Sequence, residues 1–154
     1  MTINDSKTRP MMEVAREGIF SSLQFKIDGS MILDLYAGSG SMGIEALSRG
    51  ARYTTFVELS DKCAAIIKKN LKNFESNFNI QQISADKYIS NAFDKFNIIF
   101  YDPPFNFEDS KVSKELLELE NLLEVNGTIV CHRHIKSETI ISSKKLELYK
   151  EKLY

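Results

Sequence analysis

The chain has 154 residues, of which 43% are hydrophobic and 27% are charged, and its formal net charge is −1. This size and composition fit a globular protein, and we expect residues 1–154 to form a single domain. No segment reaches the roughly 20 consecutive apolar residues that a membrane-spanning helix needs, and the charge balance gives no overall sign of nucleic-acid binding.

Targeting and metal-binding signals are also missing from the sequence. Residues 1–10 have no apolar stretch of the kind found in a secretory signal. Cys63 and Cys131 form no Cys-x-x-Cys pair, so we expect a cytoplasmic protein with reduced thiols and no membrane contact. His132 and His134 are two residues apart and would share one face of a strand. No third metal ligand accompanies them in the sequence, so they indicate a core or edge position and no metal site.

Hydrophobic periodicity predicts strands that alternate with helices. A helix over about 11–25 is expected to pack on the core. The predicted strands cover 31–36, 53–58, 80–84, 97–101 and 128–132, and weaker segments lie at 139–141 and 146–149. Between them, one helix is predicted from Ser41 to about Gly50, and a second is predicted to follow Ser60 as its cap. A short helix is predicted near Asp86, and a longer one over 111–123 with Ser110 as its cap.

This alternation predicts an α/β fold of the Rossmann-like, doubly wound type, with a mainly parallel sheet and helices on both faces. In such sheets, ligands bind outside the carboxyl ends of the strands, beside the first strand. Asp34, Glu58, Asp86 and Asp102 all fall at the carboxyl ends of predicted strands. We therefore expect these four acids to contribute to one shared site.

A glycine-rich turn follows the first strand. Its residues, Gly38 to Gly43, read GSGSMG and match the nucleotide-binding pattern G-x-G-x-x-G, and Glu58 stands where a ribose-binding acid is expected. Gly38 and Gly40 are predicted to form the turn under a cofactor, whereas Gly43 indicates close packing of helix and strand. Tyr36 is assigned to the same cofactor-binding set, with packing at the strand end as the alternative.

The acid within the first strand distinguishes between two cofactors. A nicotinamide dinucleotide would place its pyrophosphate at the turn, and Asp34 would repel that group. S-adenosylmethionine carries an ammonium and a sulfonium group, which a carboxylate attracts directly or through water. Asp34 therefore favours S-adenosylmethionine, and an NAD-dependent oxidoreductase is a remote alternative.

The second motif is Asp102-Pro103-Pro104-Phe105, hereafter the DPPF turn, which follows an apolar run at 96–101. Asp102 can accept a hydrogen bond from an exocyclic amine. Pro103 and Pro104 have no backbone donor and fix φ, so that neighbouring carbonyls, that of Pro103 in particular, can also act as acceptors. Phe105 offers a face on which a base can stack. The motif predicts a catalytic site that holds the amino group of a nucleobase.

The two motifs occur together with segments that resemble a known family. The stretch DLYAGSGSMGIEALSRGA, then FVEL and DPPF, together with RP and REGIF near the start, is similar to the RsmD-type 16S rRNA guanine-N2 methyltransferases over residues 8–132. The resemblance implies the class I methyltransferase fold, S-adenosylmethionine as methyl donor, and small-subunit rRNA as substrate. It also implies that Asp86 meets the adenine amino group, with a helix cap as the alternative.

Two other functions stay open. A DNA adenine-N6 or cytosine-N4 amino-methyltransferase is a close alternative, because related tetrapeptides serve those enzymes. A cofactor-binding assembly protein without catalysis is the other, because only seven residues precede Thr8, where family members carry a β-hairpin. The family also continues into a last strand, which this sheet is expected to lack. For an enzyme of this family, we expect rRNA within an assembling ribosomal particle as substrate, and no oligomeric state is predicted.

Overall fold

The computed structural model describes residues 9–133 and 146–147. The helices are α1 (Arg9–Leu23), α2 (Ser41–Ser48), α3 (Asp61–Asn70), α4 (Ala85–Asn91) and α5 (Asp109–Glu120). The strands are β1 (Met31–Leu35), β2 (Tyr53–Val57), β3 (Phe78–Gln81), β4 (Phe96–Tyr101) and β5 (Leu123–Cys131). Among the described helices, none combines the length and the apolar character needed to cross a bilayer.

The strands of the described part form one parallel sheet in the order β3-β2-β1-β4-β5. β1 lies at its centre, and the direction of strand order reverses between β1 and β4, which is the place where doubly wound sheets bind ligands. Leu35 pairs with Val57 on one side and with Tyr101 on the other, so that the carboxyl ends of β1, β2 and β4 lie level. The predicted doubly wound parallel sheet is confirmed.

Alternating side chains of the strands enter two apolar layers, one on each face of the sheet. Ile32 of β1 packs in the layer that contains Phe20 of α1 and Ile67 of α3. The next residue, Leu33, packs in the layer that contains Val112 and Leu116 of α5. Because burial on both faces leaves little room for polar side chains, the strands are mostly apolar. The helix α1 contributes Phe20 and Leu23 to the first of these layers.

The helix caps explain where two element boundaries lie. The Ser60 hydroxyl accepts the N–H of Cys63 at 3.3 Å, as predicted for the start of α3. The Ser84 hydroxyl accepts the N–H of Lys87 at 3.2 Å and begins α4, so β3 ends at Gln81 and the predicted strand 80–84 was placed too late. At α5 the N-cap residue is Glu108, without a side-chain cap bond, and the predicted Ser110 cap was wrong.

The last described strand begins earlier than its sequence pattern indicates. Leu123 pairs with Phe96, the pairing is interrupted, and Thr128 then pairs with Ile98. Asn126 takes a φ of 64° in this interruption, so β5 begins at Leu123 instead of at 128 and contains an irregular segment. The predicted segments at 139–141 and 146–149 lie outside the described residues, except residues 146–147, which have no regular secondary structure.

Candidate active site

A cavity of about 470 Å³ lies at the carboxyl ends of β1, β2 and β4. Four of the residues predicted for the site border it, namely Tyr36, Glu58, Asp86 and Pro104. Because Pro104 belongs to the DPPF turn, the cavity adjoins the second motif directly. The other residues predicted for the site do not line this cavity, namely Asp34, Gly38, Gly40, Asp102, Pro103 and Phe105.

The glycine turn above β1 depends on two residues with left-handed backbone angles. Gly38 has a φ of 58° and Gly40 a φ of 77°, a conformation in which a side chain is strained. A Cβ on Gly38 would meet no heavy atom within 4 Å, whereas one on Gly40 would lie 3.1 Å from Ile67. The turn is therefore open on the Gly38 side and closely packed against α3 on the Gly40 side.

Asp34 lies beneath this turn, in the layer between β1 and α2. Its side chain is 3% exposed, and its Oδ2 accepts the N–H of Gly43 at 3.0 Å. Burial raises the pKa of Asp34 to about 8, against the lowering effect of the Gly43 hydrogen bond. A cation placed above the turn would favour the ionised carboxylate, through the short intervening backbone and not by direct contact.

Gly43 allows α2 to approach the sheet. A Cβ on Gly43 would lie 2.4 Å from Cε1 of Phe56 and 2.9 Å from Cγ2 of Thr54. Both neighbours are fully buried, so neither has room to move away. The prediction that Gly43 serves helix–strand packing is confirmed.

Glu58 follows β2 and contacts the backbone on two sides. Its Oε2 accepts the N–H of Gly38 at 2.8 Å, and its Oε1 accepts the N–H of Ser60 at 3.2 Å. Each carboxylate oxygen keeps a further lone pair for a ligand hydroxyl. Since acidic side chains already accept the N–H groups of Gly38 and Gly43, the turn lacks two donors that a pyrophosphate would use.

Asp86 stands in the first turn of α4 and borders the cavity. The capping position belongs to Ser84, so the alternative interpretation of Asp86 as a helix cap was wrong. Its Oδ2 lies 4.0 Å from Nζ of Lys111, and this ammonium in turn lies 4.0 Å from the ring centre of Phe107. Asp86 therefore presents an exposed carboxylate to the cavity beside a lysine.

The DPPF turn places an accessible acid next to an exposed aromatic ring. Phe105 is 57% exposed, and Oδ1 of Asp102 lies 3.3 Å from Nδ1 of His132. The carbonyl oxygen of Pro104 accepts the N–H of Phe107 at 3.1 Å and closes the turn. An exposed ring and a nearby acceptor are the groups that a flat base with an amino substituent would contact.

Sequence reasoning missed Glu115, which joins both parts of the site from below. The hydroxyl of Tyr36 donates to its Oε1 at 2.8 Å, and that of Tyr101 donates to its Oε2. Glu115 is 2% exposed, and burial raises its pKa. The sequence does contain a signal for Glu115. It stands three residues after Val112, on the apolar face of an amphipathic helix, where an acidic residue indicates a buried partner.

Sequence reasoning also assigned His132 to a core or edge role, whereas its imidazole lies against Asp102 and Phe105. The next residue, Arg133, donates from Nη2 to the carbonyl of Phe107 at 3.2 Å and to Asp109 at 2.7 Å. The sequence pattern of a single strand could not predict these contacts of His132 and Arg133, because their partners lie on other elements. Within the part of the chain that the structure describes, no three His, Cys, Asp or Glu side chains come together as a metal site.

Comparison with known proteins identifies relatives of this chain. The sequence model of a family described as "Conserved hypothetical protein 95" matches residues 1–154. Ribosomal RNA small subunit methyltransferase D of Haemophilus influenzae is 36% identical over 97% of this chain and 80% of its own length. The protein of the same name from Buchnera aphidicola is 34% identical over 97% of this chain and 79% of its own length.

A solved structure also resembles this fold closely. A solved structure of a conserved hypothetical protein from Streptococcus pyogenes superposes with a TM-score of 0.80 and 33% identity, covering 90% of this chain and 88% of the other. The match of the family model to residues 1–154 and the agreement in sequence over 97% of this chain confirm the resemblance drawn from the motifs. The chain belongs to the Conserved hypothetical protein 95 family, that of the RsmD-type small-subunit rRNA methyltransferases.

Proposed function

We propose that this chain transfers a methyl group from S-adenosylmethionine to the exocyclic N2 of a guanine in 16S rRNA, as a cytoplasmic enzyme that acts on an assembling small-subunit particle. The observation that carries this proposal is that Pro104 borders the same cavity as Glu58 and Asp86. A ligand in the cavity would therefore contact the DPPF turn at Pro104, which lies between Asp102 and Phe105 in the sequence. The relatives named small subunit methyltransferase D support the choice of rRNA.

The residues around the cavity fit S-adenosylmethionine. A volume of about 470 Å³ is within the range of small-molecule sites. Glu58 would accept the ribose hydroxyls and Asp86 the adenine amino group, while Gly38 and Gly40 form the turn under the methionine part, beside Tyr36. When bound, this cofactor supplies a methyl group on a positively charged sulfur.

The charge of the glycine turn supports the same choice. The buried Asp34 lies under the turn and accepts the N–H of Gly43, and Glu58 accepts the N–H of Gly38. These two carboxyl groups favour a positively charged ligand over a pyrophosphate, because the interaction of charges is strong in a partly buried site. The structure therefore gives a physical reason to prefer S-adenosylmethionine to NAD.

The DPPF turn would hold the base that accepts the methyl group. Asp102 and the carbonyl of Pro103 would accept the two N–H groups of the guanine amine, and Phe105 would stack on the base. These hydrogen bonds and the stacking contact would orient the nitrogen lone pair toward the methyl carbon. The N–C bond would form as the S–C bond breaks, with the electron pair left on sulfur and one N2 proton released to solvent.

Catalysis in this mechanism comes from positioning and electrostatics, without a covalent nucleophile. The base must be unpaired or extruded from its helix to reach Asp102. An assembling particle suits this requirement, because rRNA segments are still accessible there and bound proteins add docking surface.

The test compares Asp102→Asn with the parent chain. Transfer of a labelled methyl group is measured to small-subunit particles, to naked 16S rRNA and to duplex DNA, and cofactor binding is measured by calorimetry. We expect Asp102→Asn to lower the rate at least about 100-fold while binding S-adenosylmethionine normally. The matched control is Asp94→Asn, which changes an exposed acid before the amino end of β4, whereas Asp102 follows its carboxyl end.

Each alternative has its own outcome. Methylation of DNA in preference to rRNA would support the DNA amino-methyltransferase, and cofactor binding without methylation of any substrate would support an assembly protein. The variant Glu58→Gln separates the cofactor from the substrate. We expect it to weaken S-adenosylmethionine binding by roughly 10- to 100-fold, as for the loss of a hydrogen bond to a charged group, with little change in the rate at saturation.

A further inference from the structure

The backbone of β5 places His132 beside the DPPF turn. Cys131 pairs with Tyr101 in parallel register, and the N–H of His132 donates to the carbonyl oxygen of Tyr101 at 3.1 Å. His132 is therefore fixed by the sheet, one residue beyond the end of β5. Asp102 is likewise the first residue after β4, so the two side chains leave adjacent strands at the same level.

The imidazole of His132 contacts two residues of the DPPF turn. Its Nδ1 lies 3.3 Å from Oδ1 of Asp102. Its ring centre lies 5.5 Å from that of Phe105, with the two planes at 77°, which is the edge-to-face arrangement that aromatic pairs favour. One side chain thus touches both the proposed acceptor of the amine and the proposed stacking ring.

We propose that His132 is a positioning residue for methyl transfer, which holds the Asp102 carboxylate through Nδ1 and the Phe105 ring through an edge contact so that both meet one flat base. The proposal rests on the function proposed above. A carboxylate rotates easily about its last torsion, and a hydrogen bond at Oδ1 removes that freedom. The Asp102 side chain is 50% exposed, which leaves it accessible to the amine.

The charge of His132 gives the proposal a measurable signature. The hydrogen bond to Asp102 raises the pKa of His132. The titratable and charged groups nearby, among the described residues, are Asp102 on the β4 side, Cys131 and Arg133 along β5, and Asp109 of α5, which is paired with Arg133 at 2.7 Å. Asp102 is the charge in contact with the imidazole.

Loss of the proton from His132 should favour the reaction. An imidazolium offsets the charge of Asp102 and opposes the positive charge that develops on the guanine nitrogen. A neutral imidazole with its proton on Nδ1 keeps the hydrogen bond and leaves the carboxylate fully negative. We therefore expect kcat to rise with pH through a pKa above the ordinary histidine value of about 6.5.

The pair is tested first without any substrate. The chain has two histidines, and both imidazoles are titrated by NMR in the parent chain and in Asp102→Asn. We expect a raised pKa for His132 that falls back in the variant, while His134 serves as the internal reference. A His132 pKa that is the same in both proteins would overturn the proposal, whatever the activity of the chain.

Two variants then separate the contacts in kinetic measurements. His132→Asn keeps an N–H donor near the position of Nδ1 but cannot titrate, so we expect kcat within about threefold of the parent and a flat pH profile. His132→Phe keeps the ring against Phe105 without the donor, and we expect kcat to fall about tenfold with unchanged S-adenosylmethionine binding.

The outcomes distinguish the two proposals. A His132→Phe variant with the parent's kcat and pH profile would show that the imidazole has only a structural role. A parent chain that methylates no ribosomal substrate at any pH would instead contradict the proposed function, and the NMR titration would still decide whether His132 and Asp102 form a pair.

Discussion

The two halves of the site are built differently. In the glycine-turn half, residues 34–60, carboxylates of Asp34 and Glu58 accept backbone N–H groups that lie 2, 9 and 20 residues away. In the DPPF half, residues 101–115 with His132, the contacts join side chains from different strands and helices, as between Asp102 and His132. The first half is a folded turn with its own acceptors, and the second depends on distant partners.

This difference indicates what each half can tolerate. A change in the glycine-turn half alters the shape of the backbone that we propose holds the cofactor, so stability and affinity should respond. A change in the DPPF half alters the orientation of a few side chains, so the rate should respond more than the fold does. The following predictions test that division, beginning with the largest effect.

Gly43→Ala should destabilise the fold by about 3 kcal/mol, because the new Cβ would overlap the buried ring of Phe56. Gly38→Ala is the matched control. Its Cβ would enter open space, so only the strain of a positive φ remains, at about 1 kcal/mol. Urea unfolding of both variants measures the difference. Equal losses would mean that the close approach of α2 to β2 does not limit stability.

The affinity for S-adenosylmethionine should rise with pH, because the pKa of Asp34 is raised to about 8. Below that pH the carboxyl is mostly protonated, and binding a cation favours its ionisation. We expect affinity to increase about tenfold per pH unit well below pH 8 and to level off above it. Calorimetry from pH 6 to 9 measures this slope, and a slope that persists in Asp34→Asn would exclude Asp34 as its source.

Glu115→Gln should have the smallest effect, about 1 kcal/mol at pH 5, because an amide keeps part of the hydrogen bonding to Tyr36 and Tyr101. The raised pKa of Glu115 means that the folded state binds its proton more tightly than the unfolded state. This contribution to stability is present at low pH and is lost as pH rises. The variant should therefore lose less stability at pH 8 than at pH 5 in urea unfolding, and the opposite trend would show that Glu115 is ionised when buried.

Much of the glycine-turn half could be predicted because its determinants are close in sequence. The turn, the packing role of Gly43 and the Ser60 cap each follow from a few neighbouring residues and the steric rules for glycine and serine. The order of strands and helices follows from hydrophobic periodicity in the same way. The cofactor roles of Asp34, Tyr36, Glu58 and Asp86, and the single-domain assignment of residues 1–154, stay predictions.

The DPPF half shows why the rest could not be predicted. The motif identifies Asp102 and Phe105, but the contact with His132 depends on the register between β4 and β5. That register is interrupted between Leu123 and Thr128, and no local pattern fixes it. The link from Tyr36 to Glu115 spans 79 residues and exists only once α5 covers the sheet.

The central place of β1 also affects how the protein folds. The N–H of Met31 donates to Oδ1 of Asn97, 66 residues later in the chain, so the pairing of β1 with β4 closes a loop that contains α2, β2, α3, β3 and α4. Such non-local pairing is slow, because loop closure costs entropy before contacts form. A ligand that contacts both halves has no binding site on a partly assembled sheet, and it will therefore stabilise the completed fold in proportion to the logarithm of its concentration.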